Sequence, residues 1–164
     1  TGNMKFMMNG ALTIGTNDGA NIEIAQLVGL DNFFLFGLSV DEVLAYYANG
    51  GDSAREICQS DPRIQQVIDQ LSGSSFFPHA PREDLDAIVQ ALIDYNDEFF
   101  VLKDFAGYAS AHEKIDTLYR DAARWNKMSL VNIAMSGCFS SDNTIEQYAN
   151  EIWHIEKCDP GVQI

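Results

Sequence analysis

The chain of 164 residues carries 10 Lys and Arg against 24 Asp and Glu, a formal net charge of −14, with 46% hydrophobic residues. That length holds one domain or a piece of a larger one, and the composition is that of a globular protein rather than a disordered one. The acidic balance speaks against nucleic acid, whose phosphates require clustered Lys and Arg, and no apolar run approaches the ~20 residues of a membrane span.

In chain order, Lys5 to Asn9 reads as a helix stopped at Asn9-Gly10, two residues that tolerate left-handed backbone. Ala11-Leu12-Thr13-Ile14, closed by Gly15, is a candidate buried strand. Asn17-Asp18-Gly19 is turn chemistry, and Ile22, Ala25 and Val28 then take helical spacing up to Gly29. Asn32-Phe33-Phe34-Leu35-Phe36-Gly37 is a second apolar run. Two such strands around one helix make a βαβ unit with a parallel sheet buried on both faces, an α/β signature.

From Ser39 onward the pattern is helical. Ser39 with Glu42 is a capping box before the stripe Val40, Val43, Leu44 and Tyr47. Asp61-Pro62 opens a helix with the stripe Ile64, Val67, Ile68 and Leu71. Residues 72–81 read as a loop pinned by Phe76 and Phe77, and Leu85, Ile88, Val89 and Leu92 form the next stripe. Asp104 is the expected cap of a long helix with Phe105, Tyr108, His112, Ile115 and Tyr119. Asp121 is expected to cap another, with Trp125, Met128 and Ile133 inward and Gly137 as its stop. Ser141 or Asp142 opens the last, with Ile145, Tyr148, Ala149 and Ile152. The organisation is therefore helix-strand-helix-strand over 1–38, a helical cluster over 39–157, and a tail over 158–164.

Chemistry is sparse. Cys58, Cys138 and Cys158 are widely spaced without a Cys-x-x-Cys pair, and His79, His112 and His154 are scattered. Reduced thiols, surface or packing histidines and no metal site are the expectation. Arg82-Glu83-Asp84-Leu85-Asp86 reads as a solvated helix face, Asp18 as a turn former, and Met4, Phe6, Met7 and Met8 as core packing. Thr1-Gly2-Asn3-Met4-Lys5 is the exception. A small-residue turn entering a helix leaves backbone N–H groups that bind an anion, and Lys5 in the following turn reaches the same place. A lysine beside a phosphate cradle suits a pyridoxal phosphate Schiff base; an exposed first-turn lysine has the same signature.

The segment Thr1 to Thr16, TGNMKFMMNGALTIGT, resembles the pyridoxal phosphate signature of the α-glucan (glycogen, starch, maltodextrin) phosphorylases. The similarity continues through Asp18-Gly19-Ala20-Asn21, Asn32 to Gly37, Tyr119, Asn132-Ile133-Ala134, Phe139-Ser140-Ser141-Asp142 and Tyr148 to Trp153. The closing Ile152-Trp153-His154-Ile155 looks most like the bacterial members. The resemblance implies two Rossmann-like domains facing across a cleft, this chain forming the end of the second. It implies that Lys5 carries pyridoxal phosphate as a Schiff base, with the backbone of Thr1 and Gly2 along the cofactor's phosphate. It further implies a cytoplasmic, usually homodimeric enzyme that releases α-glucose 1-phosphate from α-1,4-glucan ends with inorganic phosphate, with retained anomeric configuration.

In that family Thr1 is preceded by Glu-Ala-Ser-Gly, and the phosphate-clamping basic residues lie upstream. The expectation is a C-terminal segment, inactive by itself and dependent on the upstream polypeptide. Two positions depart from the family pattern, Asn17 where Leu is usual and Asn143 where Arg is usual. Two other readings are a related sugar-nucleotide glycosyltransferase without pyridoxal phosphate, and a non-enzymatic acidic helical module that binds a protein partner.

Overall fold

The computed structural model describes residues 1–73 and 75–156, so the expected tail and Cys158 lie outside the described residues. The elements in order are α1 (Gly2–Met8), β1 (Ile14–Thr16), α2 (Ala20–Val28), β2 (Phe34–Phe36), α3 (Val40–Asn49), α4 (Ala54–Ser60), α5 (Pro62–Ser72), α6 (Arg82–Val89), α7 (Val101–Tyr119), α8 (Ala122–Met135) and α9 (Ser141–Gln147). Strands β1 and β2 pair in a short two-stranded parallel sheet. The α/β start and the helical remainder are thus as the apolar runs and helical stripes imply, but the sheet is not buried on both faces: β1 is half-buried throughout and only Phe34 of β2 is buried. The first strand is shifted: it runs from Ile14, with the Thr13 carbonyl just before it accepting from the Phe34 N–H at 3.0 Å, and Ala11 and Leu12 form the connection from α1.

The chain forms two compact units. One comprises Thr1–Thr13, Glu23–Phe34 and the described residues from Thr117 on; the other comprises Ile14–Ile22 and Leu35–Asp116.

In the first unit, Met7, Ile24, Ala25, Val28, Phe33, Phe34 and Met128 are buried. Trp125 adds ring contacts to Phe34 (6.5 Å) and Tyr119 (5.0 Å). Asn132 is fully buried in this apolar setting, which is tolerable because its Nδ2 donates to the Asn32 and Met128 carbonyls at 3.0 Å each. Its Oδ1 finds no acceptor role among the described residues.

In the second unit, Ala54, Cys58, Ile64 and Leu102 form the core, with Ile57, Ile68, Leu92, Ile93 and Phe105 packed against it. Cys58 packs in this core, and burial pushes its thiol above the ordinary value. The preceding segment is closed by a carboxamide latch: Asn96 Oδ1 accepts from the Ala54 N–H at 2.8 Å and its Nδ2 donates to the Asp52 carbonyl at 3.1 Å. Lys103 pairs with Asp52 and lies over the Tyr46 ring.

The capping signals hold where the cap is local. Ser39 and Glu42 form the reciprocal capping box, Asp61 caps α5 with Pro62 at its first position, and Asp121 accepts from the Arg124 N–H. Asp104 is different. Helix α7 begins at Val101, the Asp97 carboxylate receives the Leu102 N–H at 2.6 Å, and Asp104 accepts from the Leu38 N–H at 2.9 Å. A side chain expected to end a helix instead ties a loop 66 residues away, and burial raises its pKa. The last helix is capped by Ser140 rather than Ser141 or Asp142, because Ser140 keeps the extended backbone that a cap requires. Helix α8 runs past its expected partners to Met135 and passes into a 3-10 turn over Ser136–Phe139, so Gly137 is not a helix stop.

Several apolar stripes do not face a core. Val40, Leu44 and Tyr47 of α3, Val67 of α5, Ile88 of α6, and Ile145, Tyr148 and Ile152 near the end are exposed. Phe76 and Phe77 are also exposed, packing edge-to-face on each other rather than pinning the loop. Spacing selects which residues share a helix face; the neighbouring elements decide whether that face is covered.

Candidate cofactor-lysine site

The site is built on α1. The helix starts at Gly2 with Thr1 as N-cap, three residues earlier than the apolar pattern indicates, so Lys5 is its fourth residue. The first helical bond runs from the Lys5 N–H to the Thr1 carbonyl at 3.2 Å. The amides before it lack helical partners, as at any helix start. One of them, Met4, donates to Asn3 Oδ1 at 3.2 Å. The Thr1 side chain makes no cap hydrogen bond. At Gly2 an added Cβ would meet nothing within 4 Å.

Lys5 is exposed, and its amine makes no hydrogen bond or ion pair among the described residues. Its backbone carbonyl is fixed by Asn9, whose Nδ2 donates to it at 2.7 Å. No acidic residue occupies the first turn of α1, which leaves the positive end of the helix uncompensated from within.

The opposite end of α1 is tightly specified. Gly10 N–H donates to the Met7 carbonyl at 2.9 Å and Ala11 N–H to the Phe6 carbonyl at 3.0 Å, a Schellman closure with Gly10 at φ +80°. Of the four residues expected to pack, Met7 is fully buried and Met4 half-buried, whereas Phe6 and Met8 are exposed. Ser129 on α8 donates its hydroxyl to the Gly10 carbonyl at 2.7 Å. A Cβ at Gly10 would stand 2.4 Å from that hydroxyl oxygen and 3.1 Å from Ile133.

Thr1, Gly2 and Lys5 therefore share the first turns of one helix. The sequence reasoning missed the seat of that helix, Ser129. A serine 119 residues from Gly10 carries no local signal. Gly10 itself was the one available hint, because a helix-stop glycine also marks where a neighbour approaches closely.

The remaining candidates are structural. His79, His112 and His154 are exposed; His112 packs on the Tyr108 ring. Among the described residues no group of His, Cys, Asp and Glu has metal-site geometry. Asp18 is a turn former, accepting from the Thr16 hydroxyl at 3.0 Å while its carbonyl accepts from the Asn21 N–H. Asn143, where Arg is usual, donates its Nδ2 to the Cys138 carbonyl at 2.9 Å.

Fold and site together define an α/β segment that presents an unencumbered lysine on its first helix. The family model of the carbohydrate phosphorylases matches residues 1–155, and the chain belongs to that family. It is 56% identical over 156 residues to the glycogen phosphorylase of Bacillus subtilis, covering 95% of this chain and 19% of that protein. It is 45% identical over 164 residues to the liver form from Homo sapiens, covering 100% and 19% respectively. The human muscle form is 47% identical over 156 residues, covering 95% and 18%. The chain thus spans about a fifth of the length of these relatives. A glycogen phosphorylase segment is the reading these relatives support, and the sugar-nucleotide and interaction-module readings are not favoured.

Proposed function

We propose that this segment supplies the cofactor lysine of a glycogen phosphorylase, a cytoplasmic homodimer that uses inorganic phosphate to release α-glucose 1-phosphate from the non-reducing ends of α-1,4-glucans. The observation that carries the assignment is the Lys5 amine: exposed, unpaired among the described residues, and one turn from Gly2 on the same helix. These residues fit pyridoxal 5′-phosphate. Lys5 would hold the cofactor covalently, and the Thr1–Gly2 backbone would lie along its phosphate. When bound, the cofactor supplies a phosphate that exchanges a proton with the substrate phosphate.

What the chain contributes is electrostatic and geometric. The N-terminal dipole of α1 favours an anion beside Gly2, and the Schellman closure fixes the axis from which Lys5 extends. The two Rossmann-like domains, and a second wall for the cleft, belong to the same proposal. With 10 basic residues against 24 acidic ones, the Arg and Lys clamp that paired phosphates require is expected from upstream polypeptide. Residues 1–164 alone are accordingly expected to release no glucose 1-phosphate.

The test is borohydride reduction of the full-length polypeptide with pyridoxal 5′-phosphate, followed by peptide mass mapping. The expected result is a pyridoxyl adduct on Lys5 and its loss in Lys5→Ala. An adduct on a different lysine, or none, overturns the assignment. Phosphate-dependent glucose 1-phosphate release by residues 1–164 overturns the expectation of inactivity.

A further inference from the structure

We propose that Ser129 is a positioning residue for Lys5, holding α1 at the height and tilt from which the amine reaches the cofactor. This rests on the assignment of Lys5 as the cofactor lysine. The α1 helix is seven residues long, about 10 Å, and too short to be stable without tertiary support. Its C-terminal end is anchored by the buried Met7 and by the Ser129 hydroxyl on the Gly10 carbonyl at 2.7 Å.

Only a residue without a Cβ fits this close to α8, since a Cβ at Gly10 would stand 2.4 Å from that hydroxyl oxygen. At 2.7 Å the two oxygens are at normal hydrogen-bond separation and come no closer, so the contact is a stop as well as a bond. It acts at the C-terminal end of a helix whose middle residue is Lys5, and the Lys5 amine has no protein partner among the described residues. Lys5 lies about 7.5 Å along the axis from Gly10, so a tilt of about 10° about that end moves its backbone by roughly 1.3 Å, beyond the ~0.5 Å within which reacting groups must be held. Asn132, one turn along α8, fixes the helix that carries the stop by donating to the Asn32 carbonyl. Ser129 is remote from the reacting atoms and acts through the backbone of α1.

The experiment compares wild type, Ser129→Ala and Ser129→Thr in the full-length polypeptide stripped of cofactor. Two quantities are read: the rate at which added pyridoxal 5′-phosphate becomes borohydride-fixed on Lys5, and amide hydrogen exchange at Asn9, Gly10 and Ala11. Ser129→Ala is expected to slow capture about tenfold and speed exchange about tenfold, the scale of one lost hydrogen bond. In Ser129→Thr, which retains the hydroxyl, both are expected within about threefold of wild type. Capture within twofold of wild type in Ser129→Ala overturns the proposal. So does equal slowing in both variants in step with a lowered global melting temperature, which marks a merely structural serine. If wild type fixes no cofactor on Lys5, the functional assignment fails and exchange alone judges the seating of α1 by Ser129; unchanged exchange in Ser129→Ala then overturns it.

Discussion

Met7 and Met8 are adjacent, chemically identical and in the same turn of α1, yet Met7 is fully buried and Met8 is 58% exposed. Replacing each by Ala separates tertiary packing from every local effect. Helix propensity changes equally in both and slightly in favour of Ala. For Met7→Ala the lost side-chain burial amounts to about 2 kcal/mol, and the cavity left in a closed apolar environment adds roughly another 1 kcal/mol. The expected cost is ~3 kcal/mol, or a fall of about 6–12 °C in melting temperature for a chain of this size. Met8→Ala is expected within ~0.5 kcal/mol of wild type.

Urea unfolding followed by far-UV circular dichroism measures both. Exchange of the Gly10 and Ala11 amides, which bond to the Met7 and Phe6 carbonyls, localises the effect to α1. Equal costs for the two variants, or a Met7→Ala cost below ~0.5 kcal/mol, would refute the placement of α1 on its unit.

At α3, Ser39→Ala removes an N-cap that accepts from the Glu42 N–H, with an expected loss of about 1 kcal/mol in urea unfolding. Combining it with Glu42→Gln should cost less than the sum of the single changes, because the two side chains serve one box. At α5, the Arg63 side chain and backbone N–H bonded to Asp61 hold its carboxyl at about 2, below its ordinary 3.8. The folded pKa is lowered, so this contribution is complete above the unfolded value and is lost as pH falls through about 2. Asp61→Asn should flatten the acid limb of stability between about pH 4 and pH 2; an unchanged limb in acid titration by circular dichroism would contradict it.

The legible part of this protein is its local chemistry. Ser39-Val40-Asp41-Glu42, Asp61-Pro62, Asp121 and Asn9-Gly10 each act within four residues, and each forms the cap or stop that its spacing indicates. Where a side chain reaches further, the local reading goes astray. Asp104 looks like a cap because it precedes an apolar stripe, but Asp97 supplies the N-terminal bond and Asp104 serves Leu38. Lys5 with Thr1 and Gly2 was visible because all three lie within five residues and within a motif. Ser129 was invisible because its partner is brought to it only by the packing of α1 on α8.

Sequence alone determined the two strands with a helix between them, most of the helices that follow, several N-terminal caps and the family, because those depend on hydrogen bonds made within a turn and on a contiguous run of side chains; α4 was not read from it. The sequence also placed the candidate lysine. Only the tertiary structure decided which apolar faces are covered, so that Met7 is core while Met8, Phe76 and Leu44 are exposed. Only it showed what seats the lysine's helix. Burial and long-range hydrogen bonds are properties of pairs of surfaces, and a periodic stripe specifies one surface of such a pair without its partner.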